Sequence, residues 1–143
     1  MIISKTTSYA IRILQAMARN EKEATTATIL FRQLKIKERY LKRLMTTLAK
    51  QGFIKGKRGR SGGFILARPA NQIFLSGVIE AVEGLESFNA CILGVTDCRL
   101  SPVCAMHDVW GEIRKTMLNT SSSTTIQDLA KSPGNIQTEM SNK

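Results

Sequence analysis

A change of period at Gly52 constrains the fold of this chain more than any other feature. Ahead of it, Leu41, Leu44, Met45 and Leu48 stand at i, i+3, i+4 and i+7, the spacing that gathers apolar side chains on one side of an α-helix. Beyond it, residues 53–57 alternate with a period of two, a glycine-rich stretch follows at 59–63, and a second short run occupies 64–66. A helix, a glycine able to cap it and a strand pair with a flexible tip therefore follow one another without a linker. The helix face opposite the leucines carries Arg39, Lys42, Arg43 and Lys50, and Arg58 and Arg60 flank the hairpin tip.

Two further helices precede this unit. Over residues 6–19, Ala10, Ile13, Leu14 and Met17 fall at helical spacing, with Thr6 or Thr7 placed to cap the start; residues 27–34 put Ile29, Leu30 and Leu34 on one side. Residues 35–37 make a tight break. Downstream, Pro69 and Asn71 punctuate the chain, and Leu75, Val78, Ile79 and Val82 mark a fourth helix ended by Gly84. Residues 85–101 read as a loop. Pro102 opens a long helix whose Val103, Met106, Trp110, Ile113 and Met117 recur at steps of three and four, a stripe that suits a dimer seam or a buried face. A Ser/Thr-rich gap at 120–125 leads to a last short helix, in which Thr125 and Asp128 have the spacing of a capping box. Residues 132–143 are polar and read as a disordered tail.

Charge divides the chain. Residues 1–70 hold sixteen Lys and Arg against three acids, and the remainder holds five against eight. Clustered cations are rewarded by phosphate backbones, through counterion release, and also by acidic membranes. No apolar run approaches the span of a bilayer, Arg12 and Gln15 interrupt the signal-like segment 11–18, and neither end carries a lipidation motif. The chain thus reads as cytoplasmic, with double-stranded DNA rather than a membrane as its partner. Three helices followed by a basic hairpin is the order of a winged helix-turn-helix, whose third helix enters the major groove while the hairpin reaches phosphates or the minor groove. Arg39, Lys42 and Arg43 are the candidate groove contacts, because an Arg forks onto guanine edges and a Lys anchors phosphate; Arg58 and Arg60 are the candidate wing contacts. The glycine stretch lacks the spacing of a nucleotide-binding P-loop.

Cys91, Cys98 and Cys104 form a C-x6-C-x5-C pattern in a loop that ends at a helix, and His107 lies one helical turn beyond Cys104, so their side chains are expected to share a face. The chain has no other cysteine or histidine. An odd cysteine count without a secretion signal disfavours a disulfide framework, and thiolates with one imidazole suit either zinc or an iron-sulfur cluster. The spacing is not the C-x2-C of a zinc ribbon. A catalytic Cys-His pair lacks any accompanying oxyanion loop or second histidine, so an enzyme is not expected.

Several segments resemble the iron-sulfur winged-helix transcription regulators, the family that includes IscR, NsrR and CymR. The resemblance rests on residues 8–12 (SYAIR), Tyr40 and Leu41, the wing signature RGRSGGFIL at 58–66, VIEAVEG at 78–84, and the stretch from Cys104 to Trp110. It implies a mainly α fold with a small β-hairpin wing, a winged helix-turn-helix plus a long dimerisation helix, and a homodimer whose operator affinity is set by a cluster. Carried over by position, Cys91, Cys98, Cys104 and His107 resemble the IscR-type ligand set for a 2Fe-2S cluster, although the first spacer is one residue longer than in that pattern, which leaves 4Fe-4S open. Ser8 stands where some NsrR proteins have an aspartate ligand, and Arg58 resembles the wing arginine that enters the minor groove. Lys37 stands where a capping serine is common. The implied organisation is a DNA-binding region at 1–70, a cluster loop with dimerisation helices at 71–131 and a tail at 132–143. The function implied is a repressor responding to redox, nitric oxide or iron-sulfur status. The competing function is a regulator of the same fold that holds zinc or no metal and answers a protein or small-molecule effector.

Overall fold

The computed structural model describes residues 3–95 and 104–132. Three helices come first: α1 (Lys5–Arg19), α2 (Ala27–Leu34) and α3 (Glu38–Lys50). Ser4, rather than Thr6 or Thr7, caps α1 by accepting a hydrogen bond from the Thr7 amide at 3.1 Å. Lys35 closes α2 in the left-handed conformation at φ 55, which turns the chain sharply into α3. The end of α3 follows the sequence expectation. Gly52 takes φ 75, its amide donates to Ala49 O at 3.1 Å, and the Phe53 amide donates to Leu48 O at 3.0 Å. This pair of bonds is a Schellman motif, and it delivers Phe53 into the core beside the leucines of α3.

Strands β1 (Ile54–Lys57) and β2 (Gly63–Leu66) pair antiparallel, with Ile54 opposite Leu66 and Lys57 opposite Gly63. Thr25, in the connection between α1 and α2, forms a single antiparallel bridge to β2 by exchanging two 2.8 Å hydrogen bonds with Phe64. The wing is thereby fastened to the helical body at its base, while residues 58–62 project beyond it. A 3-10 turn at Ala70–Gln72 leads to α4 (Leu75–Glu83), ended by Gly84 at φ 80.

A second 3-10 turn, Leu85–Asn89, opens the segment expected to be a loop. The long helix, α5, spans His107–Ser123, and the last, α6, spans Ile126–Lys131. Two expectations are corrected here. Cys104 to Met106 form a turn ahead of α5, so Cys104 is not helical, while Pro102 and Val103 lie outside the described residues. The Ser/Thr run expected as a gap is helical as far as Ser123. Ser121 and Ser123 return their hydroxyls to carbonyls three or four residues back, which removes the competition such side chains offer the helix backbone. The capping box at Thr125 and Asp128 forms as its spacing predicts. Of the expected tail, residues 133–143 lie outside the description.

One core joins the two halves. Ala10, Ile13 and Leu14 of α1, Leu30 of α2 and Leu41, Met45 and Leu48 of α3 cluster with Ile73, Val78 and Ile126, all essentially inaccessible to solvent. Ile126 reaches this core because the chain before α6 pairs with the chain before α4: Ile126 N donates to Ile73 O at 2.8 Å and Leu75 N to Thr124 O at 3.0 Å. The buried Gln15 side chain then donates to Leu129 O at 2.8 Å, and Arg19 reaches Ala130 O at 3.3 Å. α5 behaves differently. Ser121 is its one buried residue, and Val109 and Ile113, like Met106 just ahead of the helix, are exposed in the single chain.

Candidate nucleic-acid interface and cysteine cavity

The leucine face of α3 is buried, so its register forces Arg39, Lys42 and Arg43 outward, and all three are exposed. Lys42 is not equivalent to the arginines, because its ammonium lies 2.8 Å from the Glu38 carboxylate one turn earlier. Arg39 and Arg43 have no carboxylate partner among the described residues. Thr46 and Thr47 bond back to Lys42 O and Arg43 O at 2.9 and 3.2 Å, so their hydroxyls are already engaged along α3. Arg58 and Arg60 sit exposed in the wing tip, beyond the last paired residues Lys57 and Gly63. The structure therefore presents two groups of cations, one on a rigid helix and one on a hairpin held at its base.

α3 is held by contacts that local periodicity does not report. Tyr40 packs edge-on against Tyr9 of α1 at 5.7 Å between ring centroids, and its hydroxyl pairs with that of Thr6 at 2.6 Å. Arg12 lies over the Tyr9 ring and donates to Leu34 O at 3.3 Å, at the end of α2. The SYAIR segment is thus the clamp that sets α2 and α3 against α1.

Cys91, Cys104 and His107 line one cavity of about 220 Å³, together with Asn89, Ile92, Val95, Met106, Trp110 and Arg114. Cys98 lies outside the described residues. The cavity forms because α5 is tied to the end of the Leu85–Asn89 turn: Trp110 Nε1 donates to Ala90 O at 2.9 Å and Arg114 to Asn89 O at 2.6 Å. Cys104 and His107 are linked across the turn before α5, where His107 N donates to Cys104 O at 3.0 Å. The Leu93 amide donates to Cys91 Sγ at 3.4 Å. Among the described residues, no three Cys, His, Asp or Glu side chains are gathered tightly enough to hold a single metal ion. The donors instead surround a concavity with an arginine in its wall. Soft sulfur donors, an imidazole and a nearby cation are the chemistry that suits an anionic thiolate-ligated group.

A helical triad, a wing and exposed arginines on both define a winged-helix DNA-binding protein. The chain belongs to the Rrf2 family, described as iron-dependent transcriptional regulators, whose model matches residues 3–132. The HTH-type transcriptional regulator NsrR of Geobacillus kaustophilus is 30% identical over 131 residues, covering 90% of this chain and 89% of that protein. Among solved structures, CymR, the global cysteine regulator of B. subtilis, superposes with a TM-score of 0.75 at 26% identity, covering 90% of this chain and 95% of that one. T. potens IscR gives a TM-score of 0.71 at 25% identity, covering 95% and 90%. The protein is accordingly a DNA-binding transcription regulator and not an enzyme. Among the described residues, no helix is long and apolar enough to cross a membrane.

Trp110, expected in the apolar stripe as a dimer-seam or buried-face residue, instead holds the cysteine cavity's wall together with Arg114, which no sequence pattern singled out. Their partners, the carbonyls of Ala90 and Asn89, are twenty or more residues away and are chosen by the packing of α5. The same holds for Thr6, Arg12 and Thr25.

Proposed function

We propose that this protein is a homodimeric repressor that reads DNA with Arg39, Lys42, Arg43, Arg58 and Arg60, and whose operator affinity is set by an iron-sulfur cluster held by Cys91, Cys98, Cys104 and His107. The observation that carries the reading is the common cavity of Cys91, Cys104 and His107, roofed by α5. Three thiolates and one imidazole match a 2Fe-2S core, and a 4Fe-4S core is the alternative nuclearity. Such a group, when bound, supplies chemistry that oxygen, nitric oxide or iron shortage can alter. Everything else falls to the chain's own residues. Arg114 places positive charge beside the thiolates, and the Leu93 amide stabilises negative charge on Cys91.

The position of the cavity supports coupling to DNA. The Leu85–Asn89 turn leads from the end of α4 to the cavity, and both carboxylate oxygens of Glu83 in α4 accept from the Ser4 amide at 3.2 Å. Ser4 caps α1, and α1 carries Thr6 and Tyr9, which clamp Tyr40 of α3. A change in the loop's order therefore bears on two elements at once, the helix that positions α3 and the apolar stripe of α5. Of the expected stripe, Met106 in the turn ahead of α5 and Ile113 within α5 are exposed, as is Val109 between them, and this apolar surface supports the dimer because the chain's own core does not use it. Residues 1–70 then act as the DNA-binding region and 71–131 as the sensing and pairing region, even though both share one core.

Anaerobic purification followed by visible absorption, with iron and sulfide analysis, tests the assignment. Wild type should be coloured, Cys91→Ala and Cys104→Ala should be colourless, and His107→Ala should give a shifted or labile chromophore. Full colour and wild-type DNA regulation in both cysteine variants would refute the site. A colourless wild type that retains zinc, or no metal, would favour the second reading, an effector-responsive regulator of the same fold. The similarity to CymR, the global cysteine regulator of B. subtilis, gives that reading its support.

A further inference from the structure

A cavity of about 420 Å³ lies at the N-terminal end of α3, lined by Lys5, Tyr9, Lys35, Ile36, Lys37 and Tyr40. Its three lysines come from two distant parts of the chain. Lys5 opens α1, whereas Lys35 and Lys37 form the turn between α2 and α3. The Tyr9–Tyr40 contact and the Thr6–Tyr40 hydrogen bond bring these segments together, and Lys5 Nζ rests 5.9 Å from the centre of the Tyr9 ring. All three lysines are exposed, and none has a carboxylate partner among the described residues. Glu38, the adjacent acid, is engaged by Lys42 instead.

The end of α3 adds to the positive field. Lys37 occupies the cap position ahead of Glu38 and makes no side-chain cap bond, so the first amides of α3 are not answered by a hydroxyl or carboxylate of the capping residue. Three lysines lining one concavity raise its positive potential, and an anion seated there offsets the like charge. Ordinary solvation accounts for isolated surface lysines. It gives no reason for gathering Lys5 with Lys35 and Lys37 around a tyrosine-walled cavity on the same helix end that carries Arg39 and Arg43.

We infer that this cavity seats a phosphodiester group of the DNA backbone at the edge of the groove entered by α3. The inference rests on the proposed role of α3 as the DNA-reading helix and adds Lys5, Lys35 and Lys37 to the interface. Lysine meets phosphate as a point charge, so the contact fixes register and orientation and carries no base preference.

The test starts from a duplex of about 30 base pairs, selected by the wild-type protein from a random library, and an unrelated duplex of equal length. Wild type, the triple variant K5Q/K35Q/K37Q, the rescue variant K5R/K35R/K37R and Arg58→Ala are titrated on both at several salt concentrations. The glutamine variant should lose affinity on the order of tenfold, by the same factor on both duplexes, and its slope of log K against log salt should fall by about one per protomer. The arginine variant should keep both properties. Circular dichroism confirms the fold of each, which exposed lysines do not determine. An unchanged salt slope, or a loss confined to the selected duplex, overturns the inference. So does an unchanged slope accompanied by inorganic phosphate shifting the Lys35 and Lys37 amide resonances, which would assign the cavity to a free anion. If the wild-type protein enriches no duplex from the library and does not bind the unrelated one, the DNA-reading assignment itself fails. If wild type binds and Arg58→Ala weakens it while the lysine variant does not, only the cavity inference fails.

Discussion

Replacing Gly63 with alanine should detach the base of the wing, and the structure sets the size of the effect. Gly63 sits at φ 153, and a Cβ there would lie 2.7 Å from Thr25 O and 3.1 Å from Thr25 C. Both obstacles are backbone atoms, so no side chain can rotate aside. The conformation alone costs an L-residue about 1–3 kcal/mol. Relieving the overlap means moving Thr25 away from Phe64, which breaks two 2.8 Å hydrogen bonds, each contributing about 0.5–1.5 kcal/mol net. Together these give about 2–6 kcal/mol. Gly56 is the internal control, since it lies in β1 opposite Phe64 but a Cβ there meets nothing within 4 Å and its φ is not positive. Gly56→Ala should change stability by less than about 0.5 kcal/mol. Urea unfolding at one protein concentration compares the two, because association with a second copy would shift both midpoints together. DNA affinity should follow the same order, with Gly63→Ala weakened through displacement of Arg58 and Arg60. Equal stability of the two variants would show that Thr25 does not hold the wing.

Ile126→Ala should destabilise the whole chain by about 2–5 kcal/mol in thermal or chemical unfolding, because Ile126 is fully buried in the core shared with α1 to α3; a cost confined to fraying of α6 would contradict that shared core. Ile113→Glu should give a folded monomer by sedimentation, since this side chain is 40% exposed in the single chain, and a variant that stays dimeric would remove α5 from the contact. Acid should loosen the start of α6. Hydrogen bonds from the Thr125 amide and then its hydroxyl hold the Asp128 carboxyl below its ordinary value, so the stabilisation is present above the unfolded-state pKa and is lost as pH falls through the lower folded one. Protection factors at the Thr125 and Asp128 amides, with the intrinsic pH dependence of exchange removed, should fall over that acidic range in wild type and become pH-insensitive in Asp128→Asn.

The sequence by itself determined the local elements and the sign of their surfaces. Heptad-like spacing at Leu41 to Leu48 fixed which face of α3 is buried and hence that Arg39 and Arg43 point outward, and Gly52 marked the helix end because its left-handed conformation suits few other residues. Thr125 and Asp128 announced their capping box in the same way. These features depend on neighbours a few residues apart, where chain geometry alone sets the contact. The boundaries of α5 were less legible, because serine and threonine favour breaks until their hydroxyls find helix carbonyls. Only the tertiary structure decided which distant atoms meet. Thr25 pairs with Phe64, Trp110 and Arg114 tie α5 to Ala90 and Asn89, and Lys5 joins Lys35 and Lys37 through Tyr9 and Tyr40. Residue spacing carries no signal for such pairs, since their partners are largely backbone groups or like charges, and their meeting follows from how the buried faces of α1, α3 and α6 pack around one core.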